Sequence, residues 1–273
     1  MDTPTEKLAS TPLVSVLMVT YNRGSYIQEA IESVLAQTYS NFELVIIDDG
    51  STDETGAIVS SLKNPKIHYF LQEKNAGVCA ARKLSVANAR GHYLAILDSD
   101  DVWNDSFKLE AQVSFLEKNP EHVIVGTFIN TITSSGNLLK QSSYFTDDNL
   151  IRKNILLRNQ FAHSSVLMRT AAVRAAGSYR TVALGEDLDL YLRIGLQGKF
   201  ANIPSFMTSY RVHNTGLSRD GIKMARSVLG FIRMYRMHYP NALLAIMKSL
   251  LVLAVAHLLD TRTIFTNVIQ KTT

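Results

Sequence analysis

Phe42-Glu43-Leu44-Val45-Ile46-Ile47-Asp48-Asp49-Gly50-Ser51-Thr52-Asp53 places a β-rich, almost unbroken apolar run directly before a cluster of Asp, Gly and Ser. A strand with one solvated face alternates apolar and polar residues; a continuous run reads as a strand covered on both faces, as in parallel sheets. Ser51-Thr52-Asp53 has the chemistry of a helix N-cap, so a helix is expected from about Asp53 to Leu62. The same unit lies on either side. Leu13 to Val19 is an apolar strand followed by Ile27, Ala30, Ile31, Val34 and Leu35 at helical spacing. Downstream come a strand at Ile67–Leu71, a helix from Gly77 to Ala89, and a strand at His92–Leu97. Strands and helices in strict alternation predict an α/β fold with a mostly parallel sheet flanked by helices.

In such sheets ligands bind beyond the carboxyl ends of the strands. Three polar clusters fall there: Thr20-Tyr21-Asn22-Arg23, Asp48 to Asp53, and Asp98-Ser99-Asp100-Asp101. Each alone reads equally as a solvated turn or a cap. Together they predict carboxylates converging on one rim. Hard divalent cations take oxygen ligands, and a site with one or two protein carboxylates leaves positions for diphosphate oxygens. The acidic run therefore points to Mg²⁺ or Mn²⁺ and a nucleotide-bound substrate.

The 273-residue chain is long enough for one large domain with an appendage, and 46% hydrophobic with 19% charged residues exclude a disordered chain. Its one cysteine, Cys79, excludes an internal disulfide framework and a cysteine-based zinc site, which suits a reducing cytoplasm. Met1 to Pro12 is polar and lacks the order of a secretory signal, so export is not expected. Beyond Trp103 a helix from about Asp105 to Asn119 is followed by shorter strands at Val123–Thr133, Leu138–Tyr144 and Ser164–Met168. Regular alternation ends there, and this mixed half is expected to shape an acceptor pocket. Another apolar run, Phe206–Val212, precedes His213.

The net charge is +4, and after Arg219 basic residues outnumber acidic ones. Ala242 to Leu259 is the most apolar segment, but Lys248 and His257 interrupt it and it barely reaches the roughly 18–20 residues of a spanning helix. A transmembrane span is rejected. Leu243, Leu244, Met247, Leu250, Leu251, Ala254 and Leu258 follow helical spacing, which predicts a helix packed on the domain or on another subunit in a homodimer. Interfacial membrane contact is the alternative.

Val14 to Arg23, Ser33-Val34-Leu35-Ala36-Gln37-Thr38-Tyr39, Glu43 to Asp53, Asn75-Ala76-Gly77 and Ala80-Ala81-Arg82 follow one another in an order that resembles a family 2 glycosyltransferase of the GT-A fold. Later pieces continue the resemblance: His163-Ser164-Ser165, Gly185 to Arg193 and Tyr210-Arg211-Val212-His213-Asn214. It spans roughly residues 13–218, which implies a catalytic domain over 1–218 and a helical C-terminal extension over 219–273. The resemblance implies an inverting, metal-dependent hexosyl transfer from a nucleotide-diphosphate sugar, UDP by default, to a glycan or lipid-linked acceptor in cell-surface polysaccharide synthesis. The basic, amphipathic tail, by analogy, points to cytoplasmic work, peripheral on the inner membrane face, with no nucleic acid partner.

By the same resemblance Thr20, Tyr21, Asn22 and Asp49 hold the nucleotide base, with Tyr21 against it. Asp98, Ser99 and Asp100 form the Asp-x-Asp element near ribose and metal. Asp100 leads as metal ligand, with Asp101 and His213 in supporting roles. His163 contacts donor or acceptor, and Leu217-Ser218-Arg219 closes as a lid. Gly77 begins a helix on which Arg82 lies one turn in, placed either to fork onto the diphosphate or to bridge to Asp98 or Asp100. Asp187, beside Glu186, is the expected general base. Gly185-Glu186-Asp187 opens a helix with Leu188, Tyr191 and Leu192 inward, which would hold a carboxylate rigidly. The competing reading is a carboxylate that merely favours the helix dipole.

Two other readings keep the fold. A sugar nucleotidyltransferase needs a Gly-rich phosphate loop, whereas Thr20-Tyr21-Asn22-Arg23-Gly24 offers one glycine, a scarcity that also disfavours a dinucleotide or P-loop fold. A non-catalytic scaffold would be marked by lost acidic residues, and all are present.

Overall fold

The computed structural model describes residues 11–213 and 221–269, with side chains described for 11–213 and 222–256. The anticipated lid at Leu217-Ser218-Arg219 and residues 1–10 lie outside them. The chain runs β1 (Val14–Thr20), α1 (Gly24–Leu35), β2 (Phe42–Asp48), α2 (Thr55–Ser61), β3 (Ile67–Leu71), α3 (Val78–Asn88) and β4 (Tyr93–Ile96). β1, β2, β3 and β4 pair in parallel in the order β3-β2-β1-β4. The continuous apolar runs are explained by burial on both faces. Val14, Val16 and Met18 point toward Ile27 and Ile31 of α1, while Leu17 faces the other way with Val45, Ala81 of α3 and Leu94. Each large apolar side chain so enclosed contributes roughly 1.5–3 kcal/mol relative to exposure. The polar interruptions at Ser15 and Glu43 are mutually satisfied: the Ser15 hydroxyl donates to Glu43 at 2.6 Å, and Arg90 Nε donates to the same carboxylate at 2.8 Å.

The second half adds α4 (Lys108–Lys118), β5 (His122–Ile132), β6 (Leu138–Ser142), α5 (Asp148–Asn154), a one-turn 3₁₀ helix (His163–Ser165), β7 (Leu167–Arg169), α6 (Thr170–Ala175), α7 (Glu186–Ile194) and β8 (Lys199–Arg211). β7 joins β4 antiparallel and passes the sheet to β5, which carries β6 antiparallel and β8 parallel. Two expectations are corrected here. The strand expected over Ser164–Met168 is a 3₁₀ turn followed by the short β7, because Ser164 leaves the ladder to bond Asp101. The last strand begins at Lys199, well before Phe206; its register shifts past β5 at Thr127/Phe128 and Phe128/Ile129, so no clean period survives in the sequence. The short helices α5 and α6 were not anticipated, although Asp147 caps α5 by accepting from the Leu150 N–H.

Two helices come next, α8 (Gly221–Tyr235) and α9 (Ala242–Ile269); the boundary expected at 218/219 lies outside the described residues. Phe231, Ile232, Tyr235 and Tyr239 share one core with Leu188 and Leu192 of α7, and the Tyr239 hydroxyl donates to the Leu192 carbonyl at 2.8 Å. α9 packs on the domain, but not through the residues whose spacing predicted it; the side chain of Leu258 lies outside the described residues. Ala242, Ala245, Ile246 and Ser249 face inward, and Leu243, Leu244, Met247, Leu250 and Leu251 face outward. The small side chains of Ala242, Ala245 and Ser249 let α9 lie close against the rest of the fold, with Ile246 packed against the core. Among the described residues no helix is long and apolar enough to cross a membrane.

Candidate active site

Register sets the rim. Thr20 of β1 lies opposite Asp48 of β2, and the Leu97 N–H donates to the Leu17 carbonyl, so the three polar clusters leave the sheet side by side. Asn22, at φ 51°, donates its N–H to the Ser51 hydroxyl and accepts from the Thr52 N–H, locking the first loop to the second. Asp48 is consumed inside the fold, accepting from the Ser51 N–H and from the Tyr69 hydroxyl at 2.6 Å.

Asp49 is buried, and its two oxygens accept the N–H groups of Ala76 at 2.9 Å and Gly77 at 2.8 Å. A carboxylate at the start of a helix is favoured by the dipole and by these unpaired donors. Gly77 needs its φ of 92°, a left-handed value that spares only glycine. Asp49 thus anchors α3. One turn on, Arg82 points back to the rim: Nη2 donates to Asp98 at 3.0 Å and Nε to Glu186 at 3.1 Å. Arg82 thus bridges Asp98 and Glu186. Its guanidinium is held charged more firmly than usual; burial opposes the charge, but Asp98 and Glu186 outweigh it.

The acidic run divides. Asp98 is raised above the usual carboxylate range by burial, against the pull of Arg82. Ser99 is buried. Asp100 accepts from Arg23 Nε at 3.0 Å and meets His213 Nε2 at 2.8 Å, so β8 returns its end to the rim. Asp101 is almost fully buried and spends both oxygens within the protein, on the Ser164 hydroxyl and on the Arg211 N–H at 2.7 Å. Burial, then Asp100 and Asp98, push it well above the ordinary range. Arg211 completes the clamp with Nε on the Asp100 carbonyl at 2.8 Å and Nη2 on Glu29 at 2.6 Å.

Asp187, half-buried in the first turn of α7, accepts from Asn159 Nδ2 at 3.0 Å. Its carboxyl is pushed up to about 6, first by burial and next by Glu186, with Arg82 pulling the other way. His163 touches no open space through its nitrogens: Nδ1 lies 2.6 Å from the Tyr191 hydroxyl and Nε2 3.1 Å from that of Tyr179. Burial holds its pKa well below the usual value, so the ring is neutral. Tyr21 is 43% exposed on the rim, and the buried Thr20 hydroxyl makes no hydrogen bond among the described residues.

One connected path therefore runs from Asp49 through α3 and Arg82 to Asp98, Glu186 and the adjoining Asp187. Arg23 and Arg211 hold the neighbouring Asp100 and Asp101, Ser164 holds Asp98 and Asp101, and Asn159 holds Asp187; none of the four has a role assigned from sequence. Arg211 carried a signal, a cation inside an apolar run two residues before His213; Asn159 carried none. A cleft of about 290 Å³ opens beside the rim between Gly50, Ser51, Thr52, Leu71, Gln72 and Glu73. A larger one of about 440 Å³ lies at the opposite end of the sheet around Leu13, Arg90, Thr170 and Arg174, with no carboxylate in its lining. The first adjoins the Asp48–Asp53 loop.

The model of Glycosyl transferase family 2 matches residues 15–176. An uncharacterized glycosyltransferase of Rickettsia felis is 33% identical over 201 residues, 73% of this chain and 33% of that one. One of Haemophilus influenzae is 29% identical over 225 residues, 77% and 69% of the two chains. The chain spans about a third of the length of relatives from R. felis, R. conorii and R. bellii. Among solved structures, S. aureus TarS 1-349 in complex with UDP-GlcNAc has a TM-score of 0.67 at 21% identity, covering 88% of this chain and 70% of that one. The mannosyltransferase PcManGT from Pyrobaculum calidifontis in complex with GDP-Man and Mn2+ has a TM-score of 0.66 at 18% identity, covering 94% and 81%. These likenesses establish a GT-A fold. With the family model covering more than half of its residues, the chain belongs to glycosyl transferase family 2.

Proposed function

We propose that this chain is an inverting glycosyltransferase that moves a sugar from a nucleotide-diphosphate sugar to an acceptor hydroxyl. The observation that carries the reading is the path from Asp49 to Asp187, which ties a nucleotide-side loop to a raised carboxyl across one rim. The donor base is assigned to the cleft by Gly50 and Gln72, with the exposed Tyr21 and the unsatisfied Thr20 hydroxyl on the loop bonded to Ser51 and Thr52. The likeness to TarS, whose structure holds UDP-GlcNAc, keeps UDP as the favoured base; the GDP-Man complex keeps GDP as the competitor.

In the reaction the Asp187 carboxylate takes the proton of the acceptor hydroxyl while that oxygen bonds the anomeric carbon. The bond from the anomeric carbon to the diphosphate oxygen breaks, and the diphosphate leaves with the electron pair. Single displacement inverts the anomeric centre. A carboxyl near 6 is matched to this work, ionised at neutral pH yet basic enough to accept a proton. Asn159 and the first turn of α7 hold it in place.

The donor set at Asp100 and His213, one carboxylate and one imidazole 2.8 Å apart, fits a divalent cation that draws its other ligands from the donor. Among the described residues no three His, Cys, Asp or Glu side chains form a ready cage. Such a cation supplies charge neutralisation to the leaving group. Asp101 is assigned to holding the loop and His163 to holding α7. A panel of nucleotide sugars in a thermal-shift assay, with and without Mn²⁺, tests the proposal through ligand linkage. Stabilisation by a UDP- or GDP-sugar that grows with Mn²⁺ supports it; a flat panel refutes it.

A further inference from the structure

α8 and α9 form a hairpin with an inverted pattern. A helix at the edge of a fold ordinarily buries its large apolar residues and exposes polar ones. α9 does the reverse, with Leu243 73%, Met247 60% and Leu251 65% exposed while Ala245 and Ser249 are buried. Met234 and Met237, at 59% and 84%, extend the apolar surface onto the end of α8 and the turn. Single exposed apolar residues are ordinary; a contiguous face of this kind marks an interaction surface.

Charge selects the occupant. Residues 221–259 contain no Asp or Glu and carry Lys223, Arg226, Arg233, Arg236 and Lys248. Lys223, Arg226, Arg233 and Arg236 are all exposed on α8 or the turn that follows it. A second copy seated on this face would set these cations against an identical set. An anionic bilayer surface neutralises them and accepts the leucines and methionines between its acyl chains. We infer that the α8–α9 hairpin is a membrane-docking surface that lies flat on anionic lipid. α8 also touches the catalytic helix: Phe231 and Met224 lie against Gly185, next to Glu186 and Asp187. The docked face therefore lies on the side of the molecule where α7 begins, and the surface stands independently of the sugar-transfer assignment.

The test is co-flotation of the full chain with vesicles of phosphatidylglycerol and phosphatidylethanolamine, against vesicles of phosphatidylcholine alone. The protein is expected to float with the anionic vesicles and to be released by high salt. The triple substitution Arg226→Ala, Arg233→Ala, Arg236→Ala should lower partitioning by about a hundredfold, since each cation near an anionic surface contributes several-fold. The pair Leu244→Gln, Leu251→Gln should weaken it at unchanged salt sensitivity. These side chains are solvent-facing, so melting temperatures should match the wild type and exclude misfolding as the cause. Equal flotation with neutral vesicles, or none with either, overturns the inference. So does light scattering that shows a dimer which Leu244→Gln, Leu251→Gln dissociates, because the face is then occupied by a second copy.

Discussion

Replacing Arg82 with Met removes a cation that two carboxylates share while keeping most of the side chain's volume. Arg82 is 8% exposed and donates two charge-assisted bonds, to Asp98 at 3.0 Å and to Glu186 at 3.1 Å. Stripping the partner from buried charges costs about 3–5 kcal/mol, since the carboxylates remain and are left uncompensated. In a domain of this size a kcal/mol corresponds to roughly 2–4 °C, so the melting temperature at pH 7.5 should fall by roughly 10 °C. The loss should shrink toward pH 4, where the stranded carboxyls protonate. A second effect is independent of stability. Arg82 pulls the Asp187 carboxyl down against burial and Glu186, which leaves it at about 6. Without that cation the acidic limb of kcat/KM against pH should move above 6. Arg82→Lys, which keeps the charge and loses the fork, should melt between the two and hold its limb near 6. Initial rates of nucleoside-diphosphate release across pH 5–9, with melting curves in the same buffers, read both effects. A Met variant whose limb stays at 6 or moves lower refutes the coupling between Arg82 and the base.

Asp187→Asn should cut transfer by about 10²–10⁴-fold with donor affinity nearly unchanged, read by rates and calorimetry side by side. The folded carboxyl binds its proton more tightly than the unfolded one, so wild-type stability declines as pH climbs from about 4 to about 6. The Asn variant lacks that proton and should gain on the wild type across the same window. Chelator should abolish transfer, and His213→Ala or Asp100→Asn should raise the Mn²⁺ concentration for half-maximal rate by at least tenfold, measured by titration; an unchanged requirement would remove these residues from the cation site. Lys108 is fully buried against Trp103 with its amine 2.7 Å from Gln112 Oε1, and burial drives its pKa far down. The unfolded chain then holds a proton that the folded one lacks, so this residue makes stability rise with pH up to its unfolded value near 10.4. Lys108→Met should flatten that rise on the acid side of the unfolded value in melting curves; a parallel slope would show that the amine stays protonated in the fold.

Local period and strand-end chemistry were enough to read the α/β class, the first four strands and the convergence of three polar clusters on one rim. These features are set by residues within a turn or a strand of each other, where spacing alone decides which face is buried. The acidic residues of the site were legible for the same reason, since carboxylates beyond a buried strand can only emerge at its end. What each one does there was decided by partners far along the chain. Asp101 is fixed by Arg211, 110 positions away, and Arg82 turns to Glu186, 104 positions away. His163 is enclosed by Tyr179 and Tyr191, which no spacing reveals. α9 shows the limit most plainly: its period is helical on either reading, and only packing against the rest of the fold settled that alanine and serine face in. Periodicity states that a helix has two unlike faces; the shape of the surface it meets determines which of them is buried.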